Sequence, residues 1–255
     1  MSTTPPLQPD AVPYPVENPA PPPSVTRAVA PAWHTILFLV IVAAASGLSA
    51  AQHGEGIVRN GRMFTYLFTM GWEWFLVGYI AWGIRKNGVK LRDLVGGRWK
   101  SPEDALIDLA IAVGYWIVAA LVLVAVAYAA GLASPDKLAE AQKRINPLKP
   151  LGGLESVIWI ALSATAGFCE EIMFRGYLQS QLKAWTGSTL IAVLGQGIIF
   201  GVAHAYQGGR LIFVITAYGI MFGLLAWWRK SLRPGMMAHT MQDTLSGLLR
   251  NVPLK

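Results

Sequence analysis

Four long apolar stretches constrain the fold of this chain more than any other feature of its sequence. They cover residues 35–51, 63–84, 105–130 and 211–228. Each approaches or exceeds the roughly 20 apolar residues that a helix needs to cross about 30 Å of hydrocarbon. Lipid offers no hydrogen bonds, so the backbone of each stretch must bond to itself, as an α-helix does. The pattern predicts an all-α, polytopic transmembrane helix bundle of about seven to eight helices.

The composition agrees with a membrane location. Of the 255 residues, 54% are hydrophobic and only 14% are charged, whereas soluble domains carry about 25% charged residues. The net charge of +7 is better explained by basic loops against anionic headgroups than by a nucleic-acid partner. We therefore expect a multi-pass protein of the bacterial cell (inner) membrane, with the lipid bilayer as a partner and no nucleic acid. The single cysteine excludes an intramolecular disulfide.

The chain divides into a tail and one membrane domain. Residues 1–30 hold nine of the sixteen prolines and almost no large apolar residue, which predicts a disordered, Pro-rich tail. Residues 31–255 form the transmembrane domain, with a catalytic core at about 151–250. Within that core, further helices are expected at about 153–183, 188–205, 210–229 and 235–250.

Two carboxylates and a guanidinium, Glu170, Glu171 and Arg175, interrupt the apolar run of one predicted helix. Charge in hydrocarbon costs several kcal/mol on insertion scales, so it marks a tight pair or a functional site. Glu171 and Arg175 have the i,i+4 spacing and order of a helical ion pair, which favours a structural clamp. Glu170 points about 100° away from Glu171 and has no basic partner nearby in the sequence. Its carboxylate is expected to face a cavity, a water or another helix.

Three more polar residues lie in the later apolar helices. His204 ends one of them, and His239 and Asp243 share a face of the last one at spacing four. Asp243 either orients His239 through a ring nitrogen, or both residues project toward a water or a metal. Each of these side chains is costly to bury, and one shared wet cavity lowers that cost for all. We therefore predict that they converge with Glu170 in one functional site.

These side chains suit hydrolysis. Imidazole and carboxylate groups activate water or bind the metal that does so, and a glutamate in an apolar pocket suits general-base catalysis. The chain has no Gly-rich phosphate loop and no His-Glu-x-x-His, so nucleotide hydrolysis and the soluble zinc-protease arrangement are disfavoured. Cys169 is expected to be a small buried apolar residue and not a nucleophile. Glu73 is either a partner in the cavity or the partner of a distant cation.

Three motifs resemble, in order, those of the CPBP family of intramembrane proteases, which includes the CAAX proteases. Glu-Glu-x-x-x-Arg matches residues 170–175, Phe-x-x-x-His matches 200–204, and His-x-x-x-Asn/Asp matches 239–243. The resemblance covers about residues 151–247. It implies an intramembrane endopeptidase that acts on a membrane-associated peptide or protein.

The resemblance also implies roles for the site residues. Glu170 and His204 would activate a water that attacks a peptide carbonyl, and His239 and Asp243 would stabilise the oxyanion or position the water. The Glu171–Arg175 pair would support them.

The resemblance leaves two options for a cofactor, namely none or a divalent metal. The family has been described as glutamate-dependent and as metal-dependent, so a divalent metal such as zinc on Glu170, His204, His239 and Asp243 is the second option. Asp243 stands where the prenyl-protease branch has Asn. A carboxylate donates no hydrogen bond unless it is protonated, which favours metal or water binding over an oxyanion role for Asp243.

Two other functions fit the same polar cluster. A non-catalytic immunity or scaffold protein of the membrane would use it for packing or partner binding. A proton-coupled transporter would use it as a proton relay, although the sequence shows no clear inverted repeat, which would favour transport.

Overall fold

The computed structural model describes residues 27–51, 61–96, 98–132, 134–137, 139, 143 and 146–249. The predicted tail, apart from its last four residues, lies outside them. The described residues form nine α-helices and no strand, which confirms the all-α prediction. The helices are α1 (Ala32–Ala51), α2 (Arg62–Arg85), α3 (Leu91–Val95), α4 (Pro102–Ala129), α5 (Gly153–Glu170), α6 (Gln179–Thr186), α7 (Thr189–Ala203), α8 (Leu211–Arg229) and α9 (Arg233–Leu248).

One helical element departs from the sequence-based expectation. A π-helical segment, Glu171–Leu178, joins α5 to α6 without a break. The helix predicted at about 153–183 is therefore continuous from Gly153 to Thr186, but its middle has a wider turn. Within the π-helical segment all eight residues are buried.

Four helical stretches in the described part of the chain are long and apolar enough to cross a membrane. They are α1, α4, the continuous helix from α5 to α6, and α8. Helix α2 has 24 residues but is not among them, because Trp, Tyr, Gly and Glu73 dilute its aliphatic residues. The span expected at 63–84 is thus a long helix of lower hydropathy. Helix α7, with 15 residues, is apolar but short.

The helix from α5 to α6 lies at the centre of the bundle. Its first half packs against α2 and α9, and its second half packs against α7. Helix α8 lies between α7 and α4, and α4 also contacts α9. The largest apolar core forms where α1 and α2 meet the π-helical segment, around Phe38, Ile80 and Ile172. The π-helical segment is therefore enclosed by the rest of the bundle.

Helices α7 and α8 approach each other closely through glycines. Gly197 and Gly201 have the small-x-x-x-small spacing that lets membrane helices pack backbone to backbone. A Cβ added to Gly201 would lie 2.8 Å from the carbonyl oxygen of Ile212, and one added to Gly219 would lie 3.1 Å from the Cα of Gly197. These contacts fix the position of α7 and so of His204, which follows it.

We expect Gly201→Ala to lower the melting temperature of the detergent-purified protein. The new methyl group would meet backbone atoms of α8, and overpacking of this kind costs about 1–3 kcal/mol. Gly114→Ala in α4 is the matched control, since no atom lies within 4 Å of its added Cβ. Equal melting temperatures for the two variants would show that α7 and α8 are not in close contact at Gly201.

Candidate active site

A fully buried ion pair lies at the start of the π-helical segment. The Nη1 atom of Arg175 is 3.0 Å from Oε1 of Glu171, and neither side chain is exposed. The guanidinium carbon lies 4.2 Å from the ring centre of Phe200 and 5.0 Å from that of Phe222. The rings add cation–π attraction in a place that water does not reach. Glu171 and Arg175 therefore stabilise each other, and the aromatic rings beside the guanidinium come from α7 and α8.

His239 of α9 also lies next to Glu171. Its Nδ1 atom lies 3.3 Å from Oε1 of Glu171. Its Nε2 atom lies 3.7 Å from Oε2 of Glu170 and 3.6 Å from Oδ2 of Asp243. The side chain next to Nδ1 is thus Glu171, whereas the sequence had offered Asp243 as the group that orients the ring. Asp243 faces the other nitrogen at more than hydrogen-bond distance.

His204 has a defined tautomer. Its Nδ1 atom lies 2.8 Å from the carbonyl oxygen of Phe200. A carbonyl oxygen only accepts hydrogen bonds, so Nδ1 carries the proton and, in the neutral ring, Nε2 carries the lone pair. That Nε2 atom lies 3.8 Å from Oε1 of Glu170.

Glu170, the last residue of α5, therefore faces two imidazole nitrogens. Its Oε2 atom is buried and accepts no hydrogen bond from the residues that the structure describes. The side chain as a whole is 13% exposed, while that of Asp243 is 35% exposed. The structure thus places Glu170, His204, His239 and Asp243 next to one another, with Asp243 on the more open side.

Two further residues border this group. Glu73 of α2 is buried and close enough to Glu170 and Asp243 for their charges to interact. Its position fits a cavity partner, and it forms no ion pair within the described ranges. Cys169 is fully buried, which confirms the expectation of a packing residue.

Sequence reasoning missed Tyr206 and Phe222. The ring of Tyr206 lies 5.8 Å from the ring of His204, and that of Phe222 lies 5.2 Å from His239. The nearness of Tyr206 to His204 in the chain was an available signal. Phe222 offered none, because a phenylalanine in an apolar helix is ordinary.

The donor types of this site, two imidazoles and two carboxylates, suit zinc. Glu170, His204, His239 and Asp243 are the residues that would hold it. However, the part of the chain that the structure describes contains no group of three or more His, Cys, Asp or Glu side chains arranged to hold a metal ion. The divalent metal stays a prediction.

Comparison with known proteins assigns a family to the part of the chain that carries this site. The model of the family described as "Type II CAAX prenyl endopeptidase Rce1-like" matches residues 153–245. Residues 153–245 form an Rce1-like domain. This domain contains α5 to α8, most of α9 and all four candidate catalytic residues. The matched family is one of CAAX prenyl endopeptidases, and four helical stretches of the described residues are long and apolar enough to cross a membrane.

One curated relative is similar over part of its length. It is the "Uncharacterized protein YpbD" of Bacillus subtilis (strain 168), which is 33% identical over 88 residues. The aligned region covers 34% of this chain and 42% of that protein. The chain thus spans less than half the length of this relative. No solved structure matches the chain significantly.

We expect Arg175→Gln to destabilise the Rce1-like domain strongly. The change removes the guanidinium that pairs with buried Glu171, and breaking a buried ion pair by removing one partner costs about 3–5 kcal/mol. Arg92→Gln is the control, because Arg92 pairs with Asp93 at 3.7 Å on the surface and such pairs contribute about 0–1 kcal/mol. Thermal unfolding in detergent measures both.

A double variant tests whether the lost stability comes from the charges of the two side chains or from their shapes. Glu171→Gln combined with Arg175→Gln removes both charges and should recover part of the stability lost in the single variant. A double variant no more stable than Arg175→Gln would contradict the assignment of the loss to the broken ion pair.

Proposed function

We propose that the Rce1-like domain hydrolyses a peptide bond in a membrane-associated peptide or protein, using a water activated by Glu170 and His204. The observation that carries this proposal is the arrangement around the Glu170 carboxylate. Its two oxygens face the Nε2 atoms of His204 and His239 at 3.8 and 3.7 Å. Both distances are too long for direct hydrogen bonds.

A water suits the space between Glu170 and His204. The carboxylate oxygen and the neutral Nε2 both accept hydrogen bonds, so neither satisfies the other. A water has two O–H groups and can donate one to each acceptor. Its oxygen lone pair then points outward, toward a substrate carbonyl, and this orientation is what general-base catalysis requires.

The reaction then follows from proton transfer. As the water oxygen bonds to the carbonyl carbon, Glu170 takes a proton from it and the carbonyl electrons move to the oxygen. When the carbon–nitrogen bond breaks, Glu170 returns the proton to the leaving amine. Because Glu170 shuttles one proton, it ends the cycle as it began.

His239 is suited to stabilise the oxyanion. Glu171 lies beside its Nδ1 and Asp243 faces its Nε2, so carboxylates on both sides favour a ring that carries a proton on each nitrogen. An imidazolium near the scissile carbonyl supplies both a donor and a positive charge. Arg175 acts through Glu171, which holds the His239 ring in place. Asp243 then acts on His239 or on the water, not as a donor to the oxyanion.

The surroundings of the site support a membrane-associated substrate. A groove of about 480 Å³ lies between α5 and α9, lined mainly by apolar side chains that include Phe168, Met236 and Met241. Thr240, which also lines it, follows His239 directly. We propose that apolar side chains of the substrate lie in this groove, beside the reacting carbonyl.

We expect Glu170→Gln to abolish cleavage of membrane peptides by the protein reconstituted in liposomes. An amide cannot take the proton, and loss of a general base lowers the rate about 10²- to 10⁴-fold. Glu155→Gln is the matched control: Glu155 lies in the first turn of the same helix, well before the site. Mass spectrometry of a peptide panel measures cleavage, and a chelator added to the wild type tests the metal. Wild-type cleavage by Glu170→Gln would refute the mechanism.

A further inference from the structure

A second cavity lies behind the π-helical segment. It has a volume of about 390 Å³ and is enclosed by α3, α6, the start of α7 and the turn that follows α8. Arg175 and Gln179 line it, together with Lys183, Lys230 and Asp93. Of the candidate active-site residues, only Arg175 borders this cavity. It is therefore a separate feature of the molecule.

The charge around this cavity is positive. Lys183 and Lys230 contribute two cations, against the single carboxylate of Asp93, while the charge of Arg175 is already paired with Glu171. That carboxylate already accepts a hydrogen bond of 2.9 Å from the backbone N–H of Lys90 and is exposed. An anion that enters the cavity would therefore meet cations that Asp93 does not neutralise.

The inner end of the cavity carries buried polar atoms that need partners. Arg175 is 2% exposed, and its Nε atom is buried with no hydrogen-bond acceptor within the described residues. Its pairing with Glu171 uses Nη1. Guanidinium stays charged and holds its N–H donors in a rigid fork, and a buried donor without a partner is destabilising. The guanidinium is not exposed and lies in the wall behind the cavity, so a ligand would contact the lysines and not Arg175.

The turn that presents Lys230 is held in place. Lys230 has a φ of 54°, in the left-handed region, and the backbone N–H of Leu232 donates a 3.0 Å hydrogen bond to the carbonyl of Val95 in α3. Lys183 projects from α6, across the same cavity. The two lysines are thus placed by ordered backbone at its mouth.

The cavity also lies where helices end, which indicates its depth in the membrane. Helix α6 ends at Thr186 and α8 ends at Arg229. Exposed tryptophans lie at these ends, namely Trp185, Trp227 and Trp228. Tryptophan concentrates at the membrane–water interface, where lipid phosphates also lie.

We propose that this cavity binds the phosphate of an anionic membrane lipid, with Lys183 and Lys230 contacting its oxygens. Basic pockets between membrane helices bind phospholipid headgroups in this way. The assignment goes beyond the proposed peptidase activity and does not depend on it. The proposed ligand is a phosphate diester with a net negative charge, and the site would be specific for this chemistry.

The test titrates short-chain phosphatidylglycerol into the delipidated protein in detergent and measures binding by calorimetry. We expect the double variant Lys183→Gln/Lys230→Gln to bind about 30-fold more weakly than the wild type, since each basic residue near an anionic lipid contributes roughly five- to sixfold. The control is Arg85→Gln/Arg98→Gln, which removes two exposed charges that do not line the cavity. It should bind within a few-fold of the wild type. Unchanged melting temperatures without lipid show that both variants fold.

Two parallel titrations identify the ligand. Short-chain phosphatidylcholine, with the same phosphate but no net charge, should bind clearly more weakly than phosphatidylglycerol. Inorganic phosphate that binds as tightly as the lipid would overturn the lipid assignment in favour of a free anion. Equal weakening by the two double variants, or no binding of phosphatidylglycerol to the wild type, would overturn the site.

Discussion

The buried pair of Glu171 and Arg175 is the interaction on which the rest of the site depends. Two full charges lie inside the bundle with no exposure to solvent. Such a pair is tolerated only when good geometry and further polar contacts offset the loss of hydration. Three helices supply contacts around it: Phe200 from α7, Phe222 from α8 and His239 from α9. The pair therefore holds together the elements that carry the candidate catalytic groups.

Glu170, the residue before Glu171 in the chain, does not take part in this ion pair. Glu170 is excluded from the pair by its direction on the helix, and the polar atoms that it faces are those of His204 and His239. Glu171 is thus paired with Arg175, whereas the carboxylate oxygens of Glu170 are available to a water. The close approach of α7 to α8 through Gly201 and Gly219 brings His204 to this carboxylate. The small residues that let α7 and α8 pack closely therefore also position a residue of the candidate active site.

Much of this could be predicted from the sequence, and the parts that could not have physical reasons. Apolar length predicts the helices, and the spacing of Glu171 and Arg175 predicts their pairing. The π-helical segment left no signal, because the apolar pattern over two turns fits an α-helix equally well. Glu171 beside His239 also escaped prediction, since contacts between helices depend on how they pack. Helix α2 was expected to be as apolar as the others, but its aromatic residues lower its hydropathy.

The central claim is that Glu170 activates a water and does not itself attack the peptide. A single turnover of a membrane peptide in water enriched in oxygen-18, followed by mass spectrometry of both product and protein, tests it most directly. The account predicts that the label enters the new carboxyl group of the product and that the peptide containing Glu170 stays unlabelled. Label in the side chain of Glu170 would mean that this carboxylate had bonded to the substrate, and would contradict the account.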